Sequence, residues 1–444
     1  ATENTADNSN VANSDAKLTI AADGAVSIPG TFTVGSLDIG HGAGGAVSCT
    51  AVGQDALDAS HAGTTGCTAI GSGALGSVDN TGADDNTAVG HLAGDEITAG
   101  KQNVAVGKNS LGAAATNDNV AIGFNALNDF TGSDAVAVGK SAADVAGSQT
   151  GLTAVGTNAL GVATAGNSNT AVGHTSLQTI DGTQNVAIGH LSLGVDCAND
   201  NVAVGYASLV AFTGSNATAV GSGAADAATS ASQLTAVGKD AAGVLTTGTD
   251  VTAIGYKALS AVTTTTLGGY CTAVGSGAGQ NAINISNTAI GFNAAQNVGY
   301  GQKNTVVGVN AMLGAAGAGV TSCSHGESAT AINCSSNATI NINQRVTGTN
   351  IAEGTYVTAI TGGYGSVTAF VISQATTNDS GGTLAGQTLT FYQTNASNCV
   401  AIGANALATV TTGSQNIAIG STSLDAVNTG SSNVAIGYNA GTAV

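Results

Sequence analysis

His174 and His190 stand 16 residues apart, and Tyr206 follows after another 16. Two imidazoles and a phenol brought into one column could ligate a metal ion or hold a small ligand, because neutral imidazole is the commonest side-chain metal ligand. The same interval also fits an exposed turn position that tolerates any residue. A second set of chemistry-bearing residues is Arg345, Tyr356 and Tyr364. Guanidinium groups and flat rings carry much of the energy at recognition surfaces, so these three are candidates for binding a receptor, including a sugar held by ring stacking. Asp84 and Asp85 are adjacent, but two neighbouring carboxylates do not complete a cation site. There is no Cys-x-x-Cys, His-Glu-x-x-His or Walker loop, and no calcium nonapeptide of the Gly-Gly-x-Gly-x-Asp type. No catalytic residue and no cofactor site is expected, and the chain does not read as an enzyme.

What must position these residues is a repeat. A Gly preceded by Ala-Val or Ala-Ile recurs from Gly53 to Gly308 and again at Gly403, Gly420 and Gly437, giving 19 copies spaced mostly 16 or 17 residues apart. Counting from this anchor glycine, the residue one before is Val or Ile. The residue two before is Ala except at Val306, and three before is Thr, Val or Ile. Three after is Ala or Ser, and four after is most often Leu. Alternation with a period of two predicts a short strand, and the glycine predicts the turn that ends it. The Ala/Ser-Leu pair predicts a second short strand or a corner. A unit this short has no room for a helix, so it predicts one coil of a β-solenoid in which each coil stacks on the last.

The alternation places Thr/Val and Val/Ile on one face, expected to form the core with Leu, and Ala on the other. A face that admits only a methyl group is expected to press against something close, most simply another copy of itself. Ala121, Ala137, Ala154, Ala171, Ala187 and Ala203 are therefore the expected contacts of a homotrimer. Asn stands four before the glycine in 10 copies, where stacked amides about 4.8 Å apart could form a hydrogen-bonded ladder. Cys49, Cys67, Cys271 and Cys399 occupy the same position. Cys49 and Cys67 lie one coil apart, where a Cβ separation of about 4.8 Å exceeds the roughly 3.8 Å of a disulfide, so free thiols are expected. Cys323 and Cys334 are near enough in sequence to pair locally.

The pattern Asn-[Thr/Val]-Ala-[Val/Ile]-Gly-x-x-[Ala/Ser]-Leu resembles the head repeat of trimeric autotransporter adhesins, a repeat also found in bacteriophage tail fibre proteins. The resemblance implies a left-handed parallel β-roll with three chains side by side, in a protein of the virion or the cell surface that attaches to a host. It covers residues 46–317 and 398–444. A bacteriophage tail fibre or virion appendage is the expected function, with a secreted bacterial adhesin head or an extracellular filament subunit as the alternative.

Composition agrees with a strand-rich repeat: 66 Gly, a single Pro, 3% aromatic and 8% charged residues. The net charge of −18 argues against nucleic acid as a partner. No apolar run approaches the roughly 20 residues of a membrane helix, so no membrane insertion is expected. Expected partners are other copies of the chain, further virion or filament proteins reached through the N-terminal segment, and a cell-surface receptor such as a glycan. Residues 1–16 are polar and unpatterned. Residues 17–45 alternate as short strands between Asp23-Gly24 and Pro29-Gly30, which predicts a small β module that caps the coils and sets the trimer register. The 95-residue gap between Gly308 and Gly403 predicts an inserted antiparallel β domain over 318–397, which holds 5 of the 15 aromatic residues and the only Arg.

Overall fold

The computed structural model describes residues 48–59, 64–78, 82–163, 166–261, 270–282, 286–299, 301–314 and 396–442, together with 19–20, 26–27, 32–34, 37–40, 316–325, 331–337, 345–347, 351, 357–361, 367–372 and 384–392. Every regular element among them is a β-strand. The chain divides into two compact units, Ala1–Gln184 and Asn185–Val444, a division that nothing in the repeat announces.

In the first unit, Thr19–Ile20 pairs antiparallel with Val26–Ser27, and Phe32–Val34 with Leu37–Gly40. Leu37–Gly40 then pairs antiparallel with Thr50–Val52, setting Ile39 opposite Val52. The hairpin thus covers an edge that would otherwise offer unpaired backbone groups. Eight strands, from Thr50–Val52 to Thr170–Val172, stack in parallel and in strict register, Ala opposite Ala at every step. Among the described residues of this unit, a second strand per coil forms at Val145–Ala146, Val162–Ala163 and Thr179–Ile180. These strands lie past the Ala/Ser-Leu pair, which is itself a turn in every described coil, the corner of the two expected alternatives.

The second unit stacks eleven such strands, from Val186–Ile188 to Val434–Ile436. Thr305–Val307 pairs in parallel with Val400–Ile402, so the stack continues across the insertion. Between them a six-stranded antiparallel sheet takes the order Arg345–Thr347, Leu384–Tyr392, Ala316–His325, Ala331–Asn337, Val367–Ile372, Val357–Thr361.

The core reverses the expected facing. Ala121, Ala137, Ala154, Ala171, Ala187 and Ala203 are each 0% exposed within a single chain. Their methyl groups fill the coil interior, so they cannot be the contacts between chains. The interior is narrow: a Cβ built at Gly279 would stand 3.7 Å from Cβ of Ala273, across the same coil. Only a methyl fits on the strand side, and the Leu four after the glycine fills the other. Leu57, Leu75, Leu111 and Leu127 are all 0% exposed. Val and Ile, expected inside, point outward.

The backbone closes each coil through residues with positive φ. Gly123 has φ +137°, and a Cβ there would lie 2.7 Å from the carbonyl carbon of Gly139 in the next coil. Side-chain-bearing residues also take left-handed conformations, including Asp118 (62°), Asn125 (56°) and Leu127 (52°) within one coil. Each is unfavourable for an L-residue. Burial of Leu127 helps to offset the strain.

The Asn column forms the expected ladder. Asn103 donates from its backbone N–H and from Nδ2 to Oδ1 of Asn86, both at 3.0 Å, and Asn119 repeats this toward Asn103. Nδ2 of Asn103 also donates to the Thr116 carbonyl at 2.8 Å. Asn304 donates likewise to Asn287 in the second unit.

Candidate functional site

Cysteines substitute for Asn in the ladder. The Cys67 backbone N–H donates to Sγ of Cys49 at 3.3 Å, and Sγ of Cys67 reaches the Ala83 carbonyl at 3.2 Å. Cys399 donates its N–H to Oδ1 of Asn304 at 2.9 Å, and its Sγ reaches the Gly413 carbonyl. Cys49, Cys67, Cys197, Cys271 and Cys399 are buried thiols outside any disulfide. Burial pushes the thiols of Cys67 and Cys271 up to about 11 and that of Cys197 up to about 12. Such groups are poor nucleophiles at neutral pH, since the thiolate is the reactive form. Cys323 and Cys334 lie on facing strands of the insertion, whose Ser324 pairs with Asn333.

Asp84 has its carboxylate occupied. Oδ1 accepts from the Thr65 N–H at 2.9 Å and from its hydroxyl at 3.0 Å, and Oδ2 lies 3.6 Å from Lys101 Nζ. The Thr65 backbone bond, with its hydroxyl and Lys101, holds the acid below its ordinary value. His174 is exposed in the first unit, where the Thr175 hydroxyl donates to its carbonyl at 2.8 Å. His190, in the second unit, sets its ring 5.6 Å from that of Tyr206, tilted by 36°. Among the described residues, no group of three His, Cys, Asp or Glu side chains could hold a metal ion. No helix there is long and apolar enough to cross a membrane. Arg345 opens an edge strand of the inserted sheet, with Arg345 opposite Tyr392. Tyr356 and Tyr364 lie outside the described residues.

The feature that the sequence reading missed is the outward face of the coil strands. The Val/Ile before the anchor glycine is half-buried or exposed: Ile122 is 39% exposed, Ile188 40% and Ile290 41%. The Thr or Val two residues earlier shares that face. Because the strands are in register, these side chains form apolar columns with a step of about 4.8 Å. Beside them, just past the glycine, stand Phe124, Tyr206, Tyr256 and Phe292, all exposed. The absence of a polar residue from the Val/Ile column was the available signal. A solvated column would drift among polar types, and this one does not. No family model matches the chain, and no curated protein or solved structure does.

Proposed function

We propose that the chain is a structural fibre protein that assembles as a homotrimer and serves host attachment, most simply as a tail fibre or other appendage of a bacteriophage virion. The observation that carries this reading is the outward Val/Ile column on coils whose interior is already filled by Ala and Leu. Such a patch on a protein of this charge marks an interaction surface. Three flat faces turned toward one axis would bury it. The contact between chains then lies on Val and Ile rather than on Ala. The N-terminal segment would join other virion proteins, and the inserted sheet, which leaves the coil stack, would meet a cell-surface receptor such as a glycan.

Gold-labelled antibody against the purified chain, applied to the particles and cells of its source, tests the assignment. Gold along virion fibres is the expected result. Gold on cell walls or free filaments, with virions unlabelled, would replace the reading with a bacterial adhesin head or filament subunit.

A further inference from the structure

In the coils from Gly90 to Gly139 the two edges of the outward strand differ in charge, whereas Lys303 stands on the Asp edge farther along the chain. The position after the anchor glycine carries Lys108, Lys140 and Lys239 and no Asp or Glu in any copy, although the chain has 26 acidic residues against 8 basic. The opposite edge, five before the glycine, carries Asp85, Asp118 and Asp134 in the same coils that hold His91, Lys108 and Lys140 or lie between them. Those coils stack consecutively within the first unit, and all six side chains are exposed. Among the described residues, Lys108 and Lys140 have no carboxylate partner. Other lysines do have one: Lys101 pairs with Asp84 and Lys239 with Asp240.

We infer that the edge bearing Lys108 and Lys140 docks against the edge bearing Asp118 and Asp134 of a second copy of this chain. The inference rests on the trimer proposed above. When copies are arranged cyclically about an axis parallel to the stack, with their outward strands turned toward it, the contact is head-to-tail. The glycine edge of each copy then meets the Asp edge of its neighbour. The apolar columns supply the area, and they are nearly uniform along the stack, so they do not fix which coil faces which. A seam with charges at particular coils does. Exposed ion pairs are individually weak, and their part is to set register and select the partner. Lys140 shares its coil with Asp134 and neighbours Asp118 by one coil, so a seam of copies aligned level places each lysine within a coil of a carboxylate.

Full-length chain and 15N-labelled full-length chain are denatured together, refolded and treated with a zero-length carbodiimide, which joins an amine to a carboxylate only in direct contact. Mass spectrometry is expected to find amide links from Lys108 or Lys140 of one isotope to Asp118 or Asp134 of the other. The variant K108E/K140E should lose these links and weaken assembly at low salt, and the exchanged variant K108E/K140E/D118K/D134K should regain it. Sedimentation of the same samples separates the two ideas. Chains that assemble with no mixed-isotope link at these lysines would overturn the seam alone. Chains that remain single would overturn the trimer and the seam together, and shielding of Lys108 and Lys140 by added heparin in those single chains would assign the edge to a polyanion instead.

Discussion

Asn103 gives two hydrogen bonds to one atom of Asn86, from its backbone and its side chain, both 3.0 Å long. Its own Oδ1 then accepts the same pair from Asn119. Each amide therefore satisfies buried groups of two neighbouring coils. The Asn103→Ala variant leaves the Asn119 N–H and the Thr116 carbonyl short of a partner, a loss of about 1–3 kcal/mol. Asn103→Cys should lose less, because Cys67 already fills that position in its own coil through Sγ. Denaturant midpoints of the two variants test the ordering, and equal losses would contradict it.

Glycines should differ sharply by column. Gly123→Ala puts a Cβ 2.7 Å from the Gly139 carbonyl carbon at a φ of +137°, a conformation that costs about 1–3 kcal/mol for a residue with a side chain even before the clash. At Gly147 the nearest atom would be 3.7 Å away, on the Gln149 side chain. Gly147→Ala should be neutral or add about 0.4–1 kcal/mol by restricting the unfolded chain. Melting temperatures of the pair check this.

Buried thiols make stability fall at alkaline pH. Burial holds Cys197 at about 12, against an ordinary value of 9.0. Between these values the unfolded chain has released a proton that the folded chain keeps, so stability decreases as pH rises. The contribution is whole below pH 9 and is lost on the way to about 12. The denaturation midpoint should fall from pH 9 upward, and less steeply for Cys197→Ala, whose overall stability is set by a different packing. Parallel curves for the two proteins would remove Cys197 from the account.

The period, the strand, the glycine turn and the position of the inserted sheet are legible in the sequence because each is a matter of spacing. Facing is not. Alternation says that Val120 and Ile122 share a side and Ala121 takes the other, but not which side is inside. Sequence reasoning that expects large apolar residues in the core put Ile122 there. The coil has room only for the Ala121 methyl, and Leu127 fills the rest from a left-handed backbone position that no propensity marks. The Asn ladder was legible from its column alone. The receptor candidates were not resolved by the same logic, since Arg345 sits in a segment without the repeat.

Removing residues 318–397 and rejoining the coils should leave the stack intact. Thr305 already pairs with Val400, and Cys399 already bonds Asn304. The shortened chain should melt within a few degrees of the full one and lose attachment to host cells. Unchanged attachment would move recognition to the coils or a chain end.

Ala187 and Ile188 are neighbours with opposite roles: Ala187 is sealed inside the coil, and Ile188 is 40% exposed. Ala187→Leu should therefore damage the coil itself, by about 1–3 kcal/mol of overpacking, whether or not chains associate. The self-association claim is tested on the outward face. Sedimentation equilibrium of the full chain should give three times the chain mass of 42.1 kDa, and the I254D/I290D variant should sediment at the single-chain mass with its β-sheet circular dichroism unchanged. A wild-type protein at the single-chain mass, or a variant that remains trimeric, would contradict the account.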